Sequence, residues 1–173
     1  MIGKGLLLVD TNIISHALSP NQTDAYALLF AELEEYYRFV VSGFTQFELL
    51  CSSSAINQER IIEYISSDMH YIVLSESLMN YAGVLHNLYQ KHPSTKGHKI
   101  GHGDIINAAF SIIQKSPLVT MDSMDYPTPF FQEIDRKRIT YTKSNNQKEI
   151  TDTIYILQPD IQNIESCIER FIT

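Results

Sequence analysis

The first apolar run of the chain, Leu6–Val9, has no polar alternation and stops abruptly on Asp10. Such a run reads as a strand covered on both faces. The segments that follow change period in turn. Residues 23–39 (TDAYALLFAELEEYYRF) have helical spacing, FVVS at 39–42 is strand-like, and 45–54 and 58–67 read as two helices. HYIVL at 70–74 predicts a third strand, 75–92 a long helix with Ser75 as its cap, 103–115 another helix, and PLVT at 117–120 a fourth strand. Strands separated by helical stretches predict βαβ units. The expected fold is therefore α/β, with a central, mostly parallel sheet flanked by helices.

After Tyr126 the pattern changes. YPTPFF reads as a connection, and RITYT (138–142) and TDTIYIL (151–157) as the strands of a hairpin around the polar KSNNQK. Pro159 and Asp160 open a last helix, with Ile161, Ile164, Ile168 and Phe171 in one apolar stripe. The expected organisation is a main domain over 1–135 and a C-terminal extension over 136–173, hairpin plus amphipathic helix, packed on the same domain.

With 44% hydrophobic and 19% charged residues, the composition is that of a globular protein with a substantial core. No apolar run approaches the roughly 20 residues needed to span a bilayer. The N-terminal apolar stretch is too short for a signal peptide. The expectation is a cytoplasmic protein with no membrane partner. Cys51 and Cys167 share no motif spacing and read as reduced core thiols. A net charge of −7 argues against a polyanionic partner, but the distribution changes that picture. Segments 91–99 and 136–148 hold 8 of the 13 basic residues and no acid; the rest of the chain has 5 basic and 20 acidic residues. These two segments are either solvated loops or local sites of attraction for an anion.

In open α/β sheets, ligands lie outside the carboxyl ends of the strands. Four acids fall there. Asp10 follows the first strand and Asp122 the fourth, Asp104 begins the helix leading into the fourth strand, and Glu48 lies early in the helix after the second. Each has a structural alternative: Asp10 and Asp104 as helix caps, Thr45 with Glu48 as a capping box, Asp122 as a turn residue. Together they would converge on one crevice, where like charges repel and a divalent cation relieves the repulsion. An all-oxygen donor set favours Mg²⁺ or Mn²⁺.

LLLVDTNIIS, VVSGFTQFELL, GDIINAAFSI and LVTMDSMDY, in that order over residues 6–135, resemble the acidic motifs of PIN-domain ribonucleases, and most of all the VapC-type toxins of toxin–antitoxin pairs. The resemblance implies a parallel sheet wrapped by helices and Mg²⁺- or Mn²⁺-dependent cleavage of RNA. By position, Asp10, Glu48, Asp104 and Asp122 match the family's acids, Thr11 and Asn12 its polar pair, and Thr120 its small hydroxyl. The sequence departs from the family in its GHG lead-in to Asp104, in a second acid, Asp125, in the last motif, and in Tyr126 where phenylalanine is common. The tail from about 136 is longer than the family's usual short final strand, so the resemblance implies nothing about it.

These assignments imply a division of roles. Asp10, Asp104 and Asp122 are the expected metal ligands, with Asp125 as a further acid beside them. Glu48 either binds through water or accepts the proton of the attacking water. Thr11, Asn12, Asn107 and Thr120 orient these ligands. Lys96, Lys99, Arg136, Lys137 and Arg138 are the expected contacts to an RNA backbone. An antitoxin protein and a second copy in a homodimer, through helices 23–38 and 45–67, are the expected partners. A HAD-type phosphatase would need an aspartate where Asn12 stands. A non-catalytic binding module on the same fold, or an RNA-processing nuclease without an antitoxin, are the remaining alternatives.

Overall fold

The computed structural model describes residues 4–20, 22–143 and 148–172. The elements in chain order are β1 (Gly5–Val9), α1 (Thr11–Ala17), α2 (Thr23–Glu34), β2 (Tyr37–Ser42), α3 (Gly43–Cys51), α4 (Ala55–Asp68), β3 (His70–Ile72), α5 (Glu76–Lys91), α6 (His102–Gln114), β4 (Leu118–Thr120), β5 (Phe131–Lys143), β6 (Lys148–Pro159) and α7 (Ile161–Phe171), with a 3₁₀ turn at Ser123–Asp125. The strands form one six-stranded sheet in the order β3-β2-β1-β4-β6-β5. β1 pairs in parallel with β2 and β4, and β2 with β3; β6 runs antiparallel to both β4 and β5.

The unbroken apolar runs bury both faces of this sheet. Alternate residues of a strand point to opposite sides. Leu8, Val40, Leu118 and Leu157, joined across the sheet by register, face α5, α6 and α7. Leu7, Val9, Val41, Val119 and Ile156 face the other way, against α1, α2 and α4. The result is a three-layer α/β arrangement with helices on both faces, as the alternating pattern predicts.

Local signals place several boundaries where the sequence predicts them. Ser75 Oγ accepts from Leu78 N–H to start α5, and Asp160 accepts from Asn163 N–H to start α7. The stripe Ile161, Ile164, Ile168 and Phe171 packs into the core on the α5 side. Four expectations are corrected. The helix from Thr23 ends at Glu34, because Tyr37–Phe39 are taken up by β2 beside β1. The Thr45–Glu48 capping box does not form: Ser42 Oγ accepts from Thr45 N–H and caps α3. The hairpin strands are longer than RITYT and TDTIYIL, because pairing with β6 draws the charged stretch 131–137 into β5. Its connection at 144–147 lies outside the described residues. Cys51 is exposed rather than in the core, whereas Cys167 is buried.

The hairpin is tied to the first two helices by polar contacts. Asp152 accepts from Tyr26 Oη at 3.0 Å and pairs with His16 Nδ1 at 3.2 Å, and Gln22 donates to Tyr141 Oη at 2.8 Å. Among the described residues no helix is long and apolar enough to cross a membrane.

The fold predicts unequal sensitivity along the tail. Ile164→Ala, at a fully buried position of α7, is expected to cost about 2–5 kcal/mol. Ile134→Ser, on the exposed side of β5, is expected to stay within about 0.5 kcal/mol. Urea denaturation of the two variants measures the difference, and equal losses would show that α7 does not belong to the core.

Candidate metal centre

Asp10 is the last residue before α1, at the carboxyl end of a central strand, and only 4% exposed. A carboxylate so deeply buried needs donors, and it has four. Its Oδ1 accepts from Thr11 N–H at 2.7 Å and Asn107 Nδ2 at 3.2 Å; its Oδ2 accepts from Thr120 Oγ1 at 2.6 Å and Asn12 Nδ2 at 3.0 Å. The alternatives of cap and site residue thus hold together, since the same side chain caps α1 and faces α6 and β4. Burial pushes its pKa up; the bonds from Thr120, Thr11 and Asn107 pull it down, and Glu48 raises it.

The donors are themselves fixed. Thr120 Oγ1 accepts from Asn12 Nδ2 at 3.1 Å and from Asp122 N–H at 3.0 Å, and Asn12 Oδ1 accepts from Met121 N–H. Asn107 Oδ1 accepts from the fully buried Ser42 Oγ at 2.8 Å. Glu48 Oε2 accepts from Thr11 Oγ1 at 2.6 Å, and Thr11 also meets Thr45. Ser42 and Thr45 were not among the sequence candidates. The available signal was weak: a hydroxyl ending an apolar strand, and another in the first turn of the next helix.

Asp104 lies in the first turn of α6, half-buried, and its carboxylate reaches back to the Gly101 N–H. Burial, then Asp10, Asp125 and Glu48 push its pKa up to about 7. The two glycines around it have a steric reason. A Cβ on Gly101 would lie 2.6 Å from Asp104 Oδ2, and one on Gly103 would lie 2.8 Å from Glu48 Oε1 and 3.0 Å from Phe44.

The last motif divides its two acids. Asp122 is exposed, and its Oδ1 accepts from Met124 N–H at the start of the 3₁₀ turn. Asp125, on the far side of that turn, is half-buried; burial, then Asp122 and Asp10 push its pKa up to about 6. Its charge is felt at Asp104 as well. Tyr126, next in the chain, is buried, and its hydroxyl, near the Asn107 side chain, makes no well-formed hydrogen bond among the described residues.

The structure therefore draws Asp10, Glu48, Asp104 and Asp125 into one electrostatically coupled cluster at the carboxyl edge of the sheet, with Asp122 beside Asp125. The donor atoms on offer are hard oxygens, which suit Mg²⁺ or Mn²⁺. Among the described residues no three acidic, histidine or cysteine side chains are already drawn in close enough to hold a metal ion. A cavity of about 280 Å³ between α1, α3 and α4, lined by Ser15, Ser52 and Arg60 among others, lies apart from these acids.

The basic candidates separate into two groups. Lys96 and Lys99 are exposed on the loop leading into α6. That loop is pinned by the buried Thr95, which donates to Tyr89 O at 2.6 Å, and it turns at Gly97 with φ +92°. Arg136 is held by Glu133 at 2.7 Å and lies over Tyr155; Lys137 pairs with Glu32 at 2.7 Å and Asp135 at 3.0 Å. Arg138 is exposed on β5, at the sheet edge.

The chain matches no family model and no curated protein sequence. Solved structures do match it. VapBC2 of Rickettsia felis, bound to a fragment of promoter DNA, superposes with a TM-score of 0.57 at 21% identity, covering 70% of this chain and 90% of that one. VapBC-1 of nontypeable Haemophilus influenzae gives 0.55 at 22% identity over 70% and 90%. A toxin–antitoxin complex of Klebsiella pneumoniae gives 0.54 at 19% identity over 71% and 92%. At these identities the likeness is one of fold. The chain has a VapC-like PIN-domain fold, as the four acidic motifs predict.

The charge cluster predicts a pH-dependent stability. A carboxyl raised from 3.8 to about 7 in the folded state binds more protons there than in the unfolded chain. Its favourable contribution is full below pH 3.8 and is lost as pH rises towards 7. In chelator, Asp104→Asn is expected to melt above the wild type at pH 8, with the gap closing towards pH 4. Calorimetry at both pH values tests this, and a gap that does not change with pH would refute it.

Proposed function

We propose that this chain is a metal-dependent endoribonuclease and the toxin of a toxin–antitoxin pair. The observation that carries the reading is the convergence of Asp10, Glu48, Asp104 and Asp125 at one sheet edge, around the Asn107 and Thr120 hydrogen bonds. Asp10 and Asp104 are assigned as ligands of Mg²⁺ or Mn²⁺, together with an acid of the last motif. Asp125 is preferred to Asp122 because its charge couples to both Asp10 and Asp104, whereas Asp122 caps a turn. A cation held there would supply charge stabilisation at the phosphate and a more acidic water.

The chain's own groups then have separate tasks. Asn12, Asn107 and Thr120 hold Asp10 in one orientation. Glu48, fixed by Thr11, accepts the proton of the attacking water. Lys96 and Lys99 attract the RNA backbone ahead of α6. In-line attack with departure of the 3′ oxygen leaves 5′-phosphate and 3′-hydroxyl ends.

The antitoxin partner is proposed on the strength of the fold neighbours, which are toxin–antitoxin complexes. A homodimer through α2, α3 and α4, and a cytoplasmic location, belong to the same proposal. Exposed apolar side chains on these helices, Leu28, Phe47 and Ile62, favour a protein partner there.

The test is cleavage of total cellular RNA by the purified chain with Mg²⁺ or Mn²⁺. Activity is expected with either cation and lost with EDTA or in Asp10→Asn. Cleavage that survives both controls would end the metal-nuclease reading. For the lysines, Lys96→Gln/Lys99→Gln is expected to weaken RNA binding and flatten its dependence on salt by about 2 in logarithmic slope. An unchanged slope would remove them from the RNA path.

A further inference from the structure

His92 follows the last residue of α5, and the first bonds of the loop beyond it converge on this one residue. Its carbonyl accepts from Thr95 N–H at 3.1 Å and from Lys96 N–H at 2.9 Å. Its ring closes the turn: Nδ1 accepts from Ser94 N–H at 3.2 Å and lies 2.7 Å from Ser94 Oγ. A backbone N–H can only donate, so Nδ1 carries no proton and the imidazole is neutral. A proton added to Nδ1 could point at the Ser94 hydroxyl, which can turn to accept it. The Ser94 N–H cannot turn, and it would lose its acceptor.

The surroundings oppose that proton. The ring is half-buried and makes T-shaped contacts with Phe130 and Phe171, at centroid distances of 5.0 and 5.1 Å. Arg170 of α7 lies over the Phe171 ring at 5.2 Å, so an imidazolium would share that ring with a guanidinium. On the α5 side, Phe130 is fully buried and stacks on Tyr89, whose hydroxyl burial keeps protonated. Burial and then the charge of Arg170 hold the pKa of His92 below its usual 6.5.

We propose that His92 is an acid-sensitive latch on the loop that carries Lys96 and Lys99. Neutral, it holds Ser94 and closes the turn after α5. Protonated, it releases Ser94 and loosens the loop, which stays tethered where Thr95 donates to Tyr89 O. The folded ring binds a proton less readily than the unfolded chain does, so its contribution is full above pH 6.5 and is lost as pH falls below that value. What the latch does to RNA binding rests on the assignment of the two lysines under Proposed function. The latch itself needs no RNA and no metal.

The test is nuclear magnetic resonance of the full chain in chelator, which reads the protonated ring nitrogen of His92 and the exchange rates of the loop amides. At pH 8 the proton is expected on Nε2, with the Ser94 amide protected. As His92 titrates towards pH 5, exchange at Ser94 is expected to become about 10-fold faster after correction for its intrinsic dependence on pH, with Thr95 and Lys96 following. His92→Asn keeps an acceptor near the Nδ1 position that does not titrate, and is expected to hold Ser94 at both pH values. His92→Phe keeps a ring but no acceptor, and is expected to leave Ser94 unprotected at both. A proton on Nδ1 at pH 8 overturns the proposal. So does Ser94 protection that stays constant while His92 titrates, a result that requires no variant. A pH-dependent loss that persists in His92→Asn overturns it too, since another group would then be responsible. Failure of RNA cleavage removes the nuclease reading and leaves these outcomes unchanged.

Discussion

Burial of one carboxylate organises the carboxyl edge of the sheet. Asp10 is almost inaccessible, so its carboxylate oxygens must be met by protein donors. Those donors come from three places: Thr11 and Asn12 at the start of α1, Asn107 on α6, and Thr120 at the end of β4. Through Asn107 the network extends to Ser42 at the end of β2 and to Thr45 on α3. Five elements, α1, α6, β4, β2 and α3, are therefore held at one edge by the network that satisfies a single side chain. A network of this kind is stable only when every member is met, which explains why Ser42, Thr45, Asn107 and Thr120 are buried polar residues at these positions.

The parts of the structure legible in the sequence are those decided locally. The run Leu6–Val9, the cap at Ser75 and the stripe of α7 each depend on neighbours in the chain. The parts that were not legible depend on tertiary partners. Residues 131–137 are too charged to read as a strand, yet β5 is an edge strand with exposed side chains, and its pairing with β6 decides its conformation. Thr45 and Glu48 have the spacing of a capping box, but Ser42 lies one turn earlier and takes the cap, which frees Glu48 to accept from Thr11. The order of the four acids along the chain was readable. The different settings of Asp122 and Asp125 were not, because they follow from a single 3₁₀ turn between them.

The same contrast applies to the two basic segments, which look alike as sequence. In the hairpin, strand pairing and packing on α2 bring Glu133, Asp135 and Glu32 to Arg136 and Lys137. Such exposed pairs add little stability, but they occupy the cations and reduce their pull on a polyanion. On the loop before α6, Lys96 and Lys99 project from a backbone anchored by Thr95. The tail has a second consequence. Asp152 binds Tyr26 and His16, so β6 braces the helices α1 and α2, the first of which is capped by Asp10.

The GHG sequence before Asp104 has a steric explanation in this setting. Gly101 and Gly103 flank the first turn of α6, where backbone N–H groups lack helical partners and the helix dipole favours negative charge. Asp104 reaches back over Gly101, and Glu48 comes down on Gly103 from α3. A side chain at either position would occupy the space of a carboxylate oxygen. The absent Cβ atoms therefore let two acids from different helices share one helix terminus, close to the carboxylate of Asp10. Burial first, and then that proximity, raise the pKa of Asp104, and the proximity follows from the glycines as directly as from the acids themselves.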